Sequence, residues 1–196
     1  MRYRTFFLHL ITASLLASCS GDGDNTTTPE QTNTLQYNTT DYPVDYGLLR
    51  YNGTPGNHIS IKVGVTDGDY YPIDIPNGSF TTTLWPIEDG TIEVYAILYS
   101  PGTDSLTTGT YTFDDRGRSG SSEADLADQA YFSEAYVAID ADGDQDLVED
   151  EETKVIGGTI EMSGTEPGYE FIYDLQLADG STLRGTYDGD VLVIRP

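Results

Sequence analysis

The sequence predicts an all-β domain, built as an antiparallel β-sandwich or a flattened barrel of about ten strands. Three observations predict it: apolar residues that alternate with polar ones, Asn-Gly and Asp-Gly pairs between the alternating segments, and 15 Tyr and 21 Gly among 196 residues. Alternation with a period of two places apolar side chains on one face of a strand. Glycine after Asn or Asp suits the positive φ of hairpin turns.

Three segments alternate most clearly. Residues 58–66 and 91–99 carry aliphatic side chains at every second position, and residues 170–177 alternate Phe, Tyr and Leu with other residues. Such patterns indicate half-buried antiparallel strands. A short acidic segment, 122–130, is the one candidate helix, and it is equally compatible with a loop. Hairpin turns are expected at Asn52-Gly53, Asp67-Gly68, Asn77-Gly78, Asp89-Gly90, Asp179-Gly180 and Asp188-Gly189.

The chain is strongly acidic, with 33 Asp and Glu residues against 9 Lys and Arg. Arg2 and Arg4 lie in a segment that we expect to be removed, which leaves seven basic groups and a net charge of −26. A surface of this charge repels nucleic-acid phosphates and anionic lipid headgroups. The sequence therefore argues against nucleic acid as a partner.

The N-terminus has the pattern of a secretory signal peptide. Two arginines within residues 1–5 precede an apolar run over residues 6–17. A helix of that length covers about 18 Å, which is too short for the hydrocarbon core of a bilayer, about 30 Å thick. We therefore expect a cleaved signal over residues 1–18 rather than a permanent transmembrane helix.

Cys19 is the only cysteine of the chain, so an internal disulfide is excluded. The residues Leu16-Ala17-Ser18-Cys19 resemble the lipobox of bacterial lipoproteins, and the next five, Ser20-Gly-Asp-Gly-Asp24, are similar to the acidic export signal of Bacteroidetes surface lipoproteins. The resemblance implies lipidation of Cys19 and attachment to the outer membrane, with the cell surface favoured over the periplasmic face.

Residues 19–41 are expected to form the lipidated cysteine and a flexible tether. After the cysteine they contain mainly Thr, Asn, Gln, Asp and Gly, and Leu35 is their one aliphatic residue. Such a segment buries too little apolar surface to offset the entropy lost on ordering it. The globular domain is accordingly predicted over residues 42–196.

The C-terminal third carries a second resemblance. Residues 157–163 and 169–177 alternate, and an Asp-Gly pair leads from them into residues 180–187, which end in Gly-Thr-Tyr. This arrangement is similar to the tail of many small Bacteroidetes lipoproteins, in which an Asp-Gly turn joins two strands and the second ends in Gly-Ser/Thr-Tyr. The resemblance implies a β-rich lipoprotein of the outer membrane or surface, and no particular activity.

The most distinctive motif is the acidic segment 140–151, Asp-Ala-Asp-Gly-Asp-Gln-Asp-Leu-Val-Glu-Asp-Glu. Oxygens at its positions 1, 3, 5, 7 and 12 match the ligand spacing of an EF-hand calcium loop. Position 6, where that loop needs glycine, is Gln145, and residues 136–139 resemble a strand. A calcium loop on a β framework therefore fits better than an EF-hand, and the alternative is a solvated acidic connection between strands. The candidate ligands are Asp140, Asp142, Asp144, Asp146 and Glu151.

Two aromatic residues are candidates for ligand binding. Tyr71 and Trp85 each precede a proline outside the clearest strands. An exposed ring at either position would stack against a sugar, as aromatic platforms do in carbohydrate-binding domains. The alternative for Trp85 is that it closes the core at the end of a strand.

The sequence favours binding over catalysis. His58 is the only histidine left after signal cleavage, and a plain polar residue at a strand edge is the expected role for it. No Gly-x-Ser-x-Gly motif, zinc-ligand set or phosphate-binding glycine loop occurs. A hydrolase that uses two carboxylates stays as an alternative, because 33 acidic residues supply many pairs.

Together these features predict a lipid-anchored, acidic β-domain that acts by binding or as a surface structural element, with an extracellular glycan or protein as its partner. The first alternative is a calcium-stabilised adhesion or glycan-binding module. A lipocalin-like carrier is a further alternative, and it needs an apolar cavity inside a closed barrel.

Overall fold

The computed structural model of the chain describes residues 33–77, 80–115 and 126–195. The predicted signal peptide, Cys19 and the first part of the predicted tether lie outside these residues. Within them the chain forms fourteen strands, and a 3₁₀ turn at Glu149–Glu151 precedes the twelfth. The strands are β1 (Thr34–Tyr37), β2 (Thr40–Pro43), β3 (Tyr46–Gly53), β4 (His58–Thr66), β5 (Asp69–Tyr70), β6 (Ile73–Asn77), β7 (Phe80–Leu84), β8 (Ile87–Glu88), β9 (Ile92–Pro101), β10 (Gly109–Phe113), β11 (Tyr131–Ile139), β12 (Glu152–Thr165), β13 (Gly168–Leu177) and β14 (Thr182–Ile194).

Ten of the strands form one sheet that closes on itself. Around the ring the order is β9, β4, β3, β14, β13, β12 and β11, and β11 pairs again with β9. β10 lies between β11 and β12 at one end, while β1 and β2 extend from the first half of β14. The all-β fold class is confirmed, and the pairing is that of a barrel.

Two strand pairs are parallel, whereas the sequence predicted an antiparallel sheet. β10 runs parallel to β11, and the end of β14 runs parallel to β3. The long strands β12 and β14 make these pairs possible, because each pairs with one neighbour along its first half and with another along its second. Two small sheets complete the fold, β5–β8 and, between these strands in the chain, β6–β7.

The alternating segments form strands where the sequence predicts them. β4 spans residues 58–66, and β9 and β13 contain most of the other two predicted segments. Along β9 every second side chain, from Ile92 to Ser100, is fully buried, and the side chains between them are half-buried. One face of this strand therefore forms the core, as period-two patterning requires.

β4 differs from the prediction, because both of its faces are covered. Its outward side chains His58, Ser60 and Thr66 are buried along with the inward Ile and Val residues. Tyr70, from the β5–β8 hairpin, packs on Gly64 so closely that a Cβ there would lie 2.5 Å from the Tyr70 hydroxyl. Sequence patterning did not indicate this second layer, because residues outside the strand supply it.

Large aromatic side chains fill the described interior of the barrel. The biggest of them are each no more than 2 % exposed, and aliphatic residues of the ring strands pack around them. An interior packed in this way gives no support to the carrier alternative. These aromatic residues are Tyr111, Phe132, Phe171, Tyr173 and Tyr187.

The predicted tether is too long at its C-terminal end. Residues 34–37 form β1 and pair with β14, and Leu35 is fully buried opposite Gly185. Gly185 has no side chain, and a Cβ there would clash with the Thr34 carbonyl oxygen, so β1 approaches β14 where glycine leaves room. The globular domain therefore includes residues 34–41, contrary to the predicted start at residue 42.

Two of the expected turns are wrong. Asp188 and Gly189 lie inside β14 and pair with Glu170 and Tyr169 of β13, and Asn52-Gly53 belongs to β3. Of the candidate helix, residues 122–125 lie outside the described residues; Leu126 is helical and buried, and residues 127–128 form a turn. Gly78 of the Asn77-Gly78 pair also lies outside the described residues.

Candidate functional site

The acidic segment 140–151 connects β11 to β12. These strands are antiparallel neighbours with Ala138 opposite Glu152, so the two ends of the segment meet. The expectation that a β framework flanks the loop is confirmed, since β11 ends at Ile139 and β12 begins at Glu152. Antiparallel pairing thus brings the first and last positions of the motif to one end of the sheet.

Asp140 organises the start of the loop. One of its carboxylate oxygens accepts a hydrogen bond from the Gly143 amide (2.7 Å), and the other accepts one from the Gln145 amide (3.1 Å). The backbone turns here with positive φ, 83° at Gly143 and 64° at Gln145. Gln145 therefore adopts the left-handed conformation for which an EF-hand loop uses glycine, so this departure from the motif leaves the turn intact.

Three of the five predicted ligands converge. Asp140, Asp142 and Asp144 each place a carboxylate oxygen within 4.8 Å of the other two. Any two of these atoms are close enough together to contact one cation at the calcium–oxygen distance of about 2.4 Å. The other two predicted ligands, Asp146 and Glu151, do not belong to this group.

Glu151 instead closes the loop through the backbone. Its carboxylate accepts hydrogen bonds from the Ala141 amide (2.7 Å) and the Val148 amide (3.3 Å). The carboxylates of Asp142 and Asp144 accept bonds from the amides two residues further on, at 3.3 Å and 2.9 Å. Many backbone amides of the loop thus donate hydrogen bonds to carboxylates of the same loop. These bonds turn the carboxylate oxygens toward the backbone of the loop.

The clustered charges change the acidity of Asp142. The hydrogen bond from the Asp144 amide lowers its pKa, but the carboxylates of Asp144, Glu151 and Asp140, together with partial desolvation, leave the pKa raised. Like charges at close range favour the protonated form, and a bound cation would remove that repulsion. The raised pKa of Asp142 therefore reflects the acidic neighbours that surround it in the loop.

The loop is fixed to the turn before β9. The Asp140 amide donates to the Thr91 carbonyl (3.0 Å), and Leu147 lies so close to Gly90 that a Cβ there would be 3.2 Å from its methyl group. Asp67 holds the same turn from the other side, since it accepts bonds from the amides of Thr91 (2.8 Å) and Ile92 (3.1 Å). The acidic loop thus rests on the root of the β5–β8 hairpin.

Tyr71 and Trp85, the predicted ligand-binding residues, lie in that hairpin. Tyr71 follows β5 and its amide donates to the Pro86 carbonyl (3.2 Å), while Trp85 directly follows β7. Both side chains are half-buried, and Trp85 belongs neither to the buried core nor to the residues packed against it. The alternative in which Trp85 closes the core is therefore wrong, because its hairpin lies outside the ten-stranded sheet that encloses the core.

A polar network that the sequence did not indicate covers the outer face of β4, β9 and β12. The Tyr70 hydroxyl donates to Glu93 (3.3 Å), and the Lys62 ammonium lies 4.1 Å from the centre of the Tyr95 ring. Tyr95 also hydrogen-bonds Glu152 through its hydroxyl. The alternation in β9 predicted that Glu93 and Tyr95 face away from the core, and tertiary packing alone adds Tyr70.

Both carboxyl groups of this network are less acidic than usual. Burial raises the pKa of Glu93, and the nearby Glu152 adds to the rise, while Lys62 and the Tyr70 hydroxyl oppose it. Burial likewise raises the pKa of Glu152, with Glu149 adding to the rise and Lys62 and Tyr95 opposing it. Each carboxyl therefore already has a phenol and a shared ammonium as partners.

His58 is buried, contrary to the expected role at a strand edge. It is 4 % exposed, and its Nε2 donates to the carbonyls of Leu126 (2.9 Å) and Gln129 (3.1 Å). Its ring packs edge-on against Tyr131, with 5.3 Å between centroids. These contacts fasten residues 126–130 to the barrel, so His58 has a structural role that its position in the sequence did not reveal.

Comparisons with known proteins add nothing to this description: no protein-family model matches the chain, and neither curated proteins nor solved structures give a significant match. In the described ranges, no helix has both the length and the apolar character needed to cross a membrane.

Proposed function

We propose that this protein is a lipid-anchored binding protein whose β-domain is stabilised by calcium in the 140–151 loop. The observation that carries the proposal is the convergence of Asp140, Asp142 and Asp144 within 4.8 Å. Calcium is a hard cation that prefers oxygen ligands, which these carboxylates supply. Extracellular modules bind calcium with dissociation constants of about 0.1–1 mM. Bound calcium would tie β11 and β12 together at the end of the sheet that carries the β5–β8 hairpin.

The anchor is proposed from the sequence. A charged N-terminus, an apolar run over residues 6–17 and a lipobox ending at Cys19 support export, cleavage and lipidation, with the outer membrane as the site of attachment and the cell surface favoured. Acyl chains contribute about 0.8 kcal/mol for each buried methylene, so several chains anchor the protein stably. The net charge of −26 after cleavage opposes contact of the domain with anionic headgroups.

Binding is favoured over catalysis because Glu93 and Glu152, the neighbouring acids whose pKa values are raised mainly by burial, have structural partners. Glu93 accepts a bond from Tyr70, Glu152 accepts one from Tyr95, and Lys62 lies near both. A hydrolase needs one acid free to protonate the leaving group and a second facing it across a substrate cleft. Engagement of both carboxyls in one network supports a role in holding β5 on the barrel.

Calcium binding is tested by thermal unfolding of the mature domain in CaCl₂ and in EDTA. If the dissociation constant is in the range of extracellular modules, about 5 mM calcium stabilises the domain by about 1–2 kcal/mol, which raises Tm by about 3–8 °C. The double variant Asp142→Asn/Asp144→Asn should lose this rise. The matched control Asp104→Asn, an exposed acid on another loop, should keep it.

Equal Tm values in CaCl₂ and EDTA, together with no heat of binding by calorimetry, would overturn the calcium proposal. Retention of the full rise by the double variant would place the ion elsewhere. An equal rise with NaCl of the same ionic strength would mean that general screening, rather than binding, relieves the repulsion among the acids.

The anchor is tested by mass spectrometry of the protein purified from the membrane of a bacterial host. We expect an N-terminus at Cys19 that carries acyl chains, and a water-soluble product lacking acyl chains for Cys19→Ala. An unmodified Cys19 in the mature protein would overturn the anchor and leave the calcium proposal unaffected.

A further inference from the structure

The hairpin that carries Tyr71 and Trp85 forms an arm, comprising residues 69–88, outside the ten-stranded sheet. Its outer part is a two-stranded sheet in which β6 pairs only with β7 among the described residues. A single hairpin of this size is marginally stable in water unless other groups cover it. The arm therefore presents a small sheet that no other described strand pairs with.

One face of this small sheet is apolar and exposed. Ile73 lies directly opposite Leu84, and Ile75 lies two residues further along the same face. Their side chains are 39 %, 44 % and 45 % exposed for Ile73, Leu84 and Ile75, respectively. On the other face Thr83 donates to Asp74 (2.8 Å). Contiguous exposed apolar side chains with a polar surround mark an interaction surface.

The two edges of the sheet differ in how well they are protected. β6 carries Asp74 and Pro76, and charged residues and proline are the usual protection of an edge strand against pairing. β7 reads Phe-Thr-Thr-Thr-Leu, with neither. Pro76 has no N–H, so its pair with Thr81 is of the non-bonded kind, and the amides of Thr81 and Thr83 point to the outer edge of β7. Those amides can bond an additional strand.

The charges around the arm select the chemistry of a partner. Residues 67–89 contain five acids (Asp67, Asp69, Asp74, Glu88 and Asp89), and residues 63–115 contain no Lys, Arg or His. This field repels an anionic membrane and also a second copy of this chain, which carries the same charge. It attracts a segment with flanking lysine or arginine residues.

We propose that the arm binds an extended segment of a partner protein, which adds to the edge of β7 as a third strand. The segment has apolar side chains at alternate positions, which extend the face of Ile73, Ile75 and Leu84, and basic residues at its ends. This deepens the proposed binding role, and it requires neither the lipid anchor nor the calcium ion.

Trp85 supplies a direct readout, because it is the only tryptophan and directly follows Leu84. The probe is a short synthetic peptide in which valine and threonine alternate between pairs of lysines. Titration into the mature domain should shift the Trp85 emission and saturate. A peptide with the same centre between pairs of glutamates should bind at least about tenfold more weakly, since its charges oppose those of the arm.

Substitutions locate the binding surface. Ile75→Ser and Leu84→Ser should each weaken binding of the lysine peptide about fivefold or more, because each removes apolar contact area. Ile172→Ser is the matched control, since Ile172 is 40 % exposed on β13, away from the arm, and should leave binding unchanged. Far-UV circular dichroism and Tm of each variant show whether the barrel is intact.

The proposal would be overturned by absence of a saturable shift, by equal binding of the two peptides, or by unchanged binding in both arm variants. Concentration-dependent dimerisation in sedimentation that Leu84→Ser abolishes would instead identify a second copy as the occupant. Binding to phosphatidylglycerol vesicles would identify a membrane. The Tm of the same sample is also measured with and without calcium. This measurement tests the calcium site independently, so failure of one proposal is distinguished from failure of the other.

Discussion

Glu93 places a carboxyl group on the outer face of β9, where Tyr70 covers it. Burial is the main reason that its pKa lies above the usual value of 4.5, and Glu152 adds to the effect. The folded protein therefore holds the Glu93 proton more tightly than the unfolded chain does. The free energy of unfolding must then fall as the pH rises through 4.5 to the pKa of the folded state, because the folded state binds more protons over that range.

Glu93→Gln removes this pH-dependent loss. Glutamine keeps an oxygen that accepts the Tyr70 bond and carries no charge to desolvate. We expect the Tm of the variant, relative to wild type, to be higher at pH 7 than at pH 4. The measurement is thermal unfolding over this pH range, with Glu161→Gln, at an exposed position on β12, as the control. A difference between Glu93→Gln and wild type that is the same at both pH values would show that the Glu93 charge is not the cause.

Single residues show where prediction from the sequence succeeds and where it fails. The spacing of Asp140, Asp142 and Asp144 predicted their convergence, because ligands in one loop depend on local backbone geometry. The burial of His58 was not predictable, because the carbonyls that accept its hydrogen bonds belong to Leu126 and Gln129, some seventy positions away. A side chain whose partners are distant in the sequence has no local pattern to reveal it.

At the scale of elements, Asp67 joins the end of β4 to the start of β9. Its oxygens accept hydrogen bonds from the amides of Thr91 and Ile92 and from the Thr91 hydroxyl. The arm begins just after this residue, and the acidic loop rests on Thr91. The Asp67 carboxylate therefore fixes the place where the barrel, the arm and the acidic loop meet. The sequence predicted a turn at Asp67-Gly68. The hydrogen bonds of the Asp67 carboxylate show that this residue also connects the turn to β9.

Asp67→Ala should destabilise the domain by about 2 kcal/mol or more, because it leaves two amides and a hydroxyl without their acceptor. Asp67→Asn should cost less, since its amide oxygen still accepts from the backbone. Urea unfolding measures both, with Asp69→Ala, an exposed position two residues on, as the control. A loss for Asp67→Ala no larger than that for Asp69→Ala would mean that the junction does not depend on this carboxylate.

Strands and turns were predictable where a local sequence pattern indicates them. β4, β9 and β13 follow from alternation, and the Asp179-Gly180 turn follows from the positive φ that Gly180 adopts. Asp188-Gly189 has the same chemistry and lies within a strand. Gly189 serves packing there, because a Cβ would lie 3.0 Å from the Tyr187 hydroxyl. A glycine needed for close approach cannot be distinguished from a turn glycine by its immediate neighbours.

At the scale of the whole molecule, the end of β14 closes the ring. Residues 191–194 pair in parallel with β3, and Val191 is 6 % exposed in the core. Without this pairing, β3 would gain a free edge, because the part of β14 that pairs with β13 ends at Asp190. Closure is the device by which a barrel avoids such edges.

Deletion of residues 191–196 should therefore open the ring. We expect a loss of about 3 kcal/mol or more from the buried Val191 and the half-buried Val193, broader unfolding transitions, and binding of a hydrophobic dye such as ANS. Deletion of residues 195–196 is the control. Among the described residues, it removes the surface ion pair of Arg195 with Glu166 and the contact of Arg195 with Tyr51, which together contribute little. Sharp unfolding of the longer deletion at the wild-type Tm would contradict the role of β14 in closure.

The sequence by itself determined the all-β class, three principal strands and the acidic loop between two strands, because period-two alternation and loop spacing are local properties of the chain. Tertiary structure alone decided the closure of the sheet, its two parallel pairs, the inclusion of β1 and the cover on the outer face of β4. Each depends on which distant segments meet. Which segments meet is decided by the free energy of packing the whole chain, and the short-range pattern of the sequence does not encode that free energy.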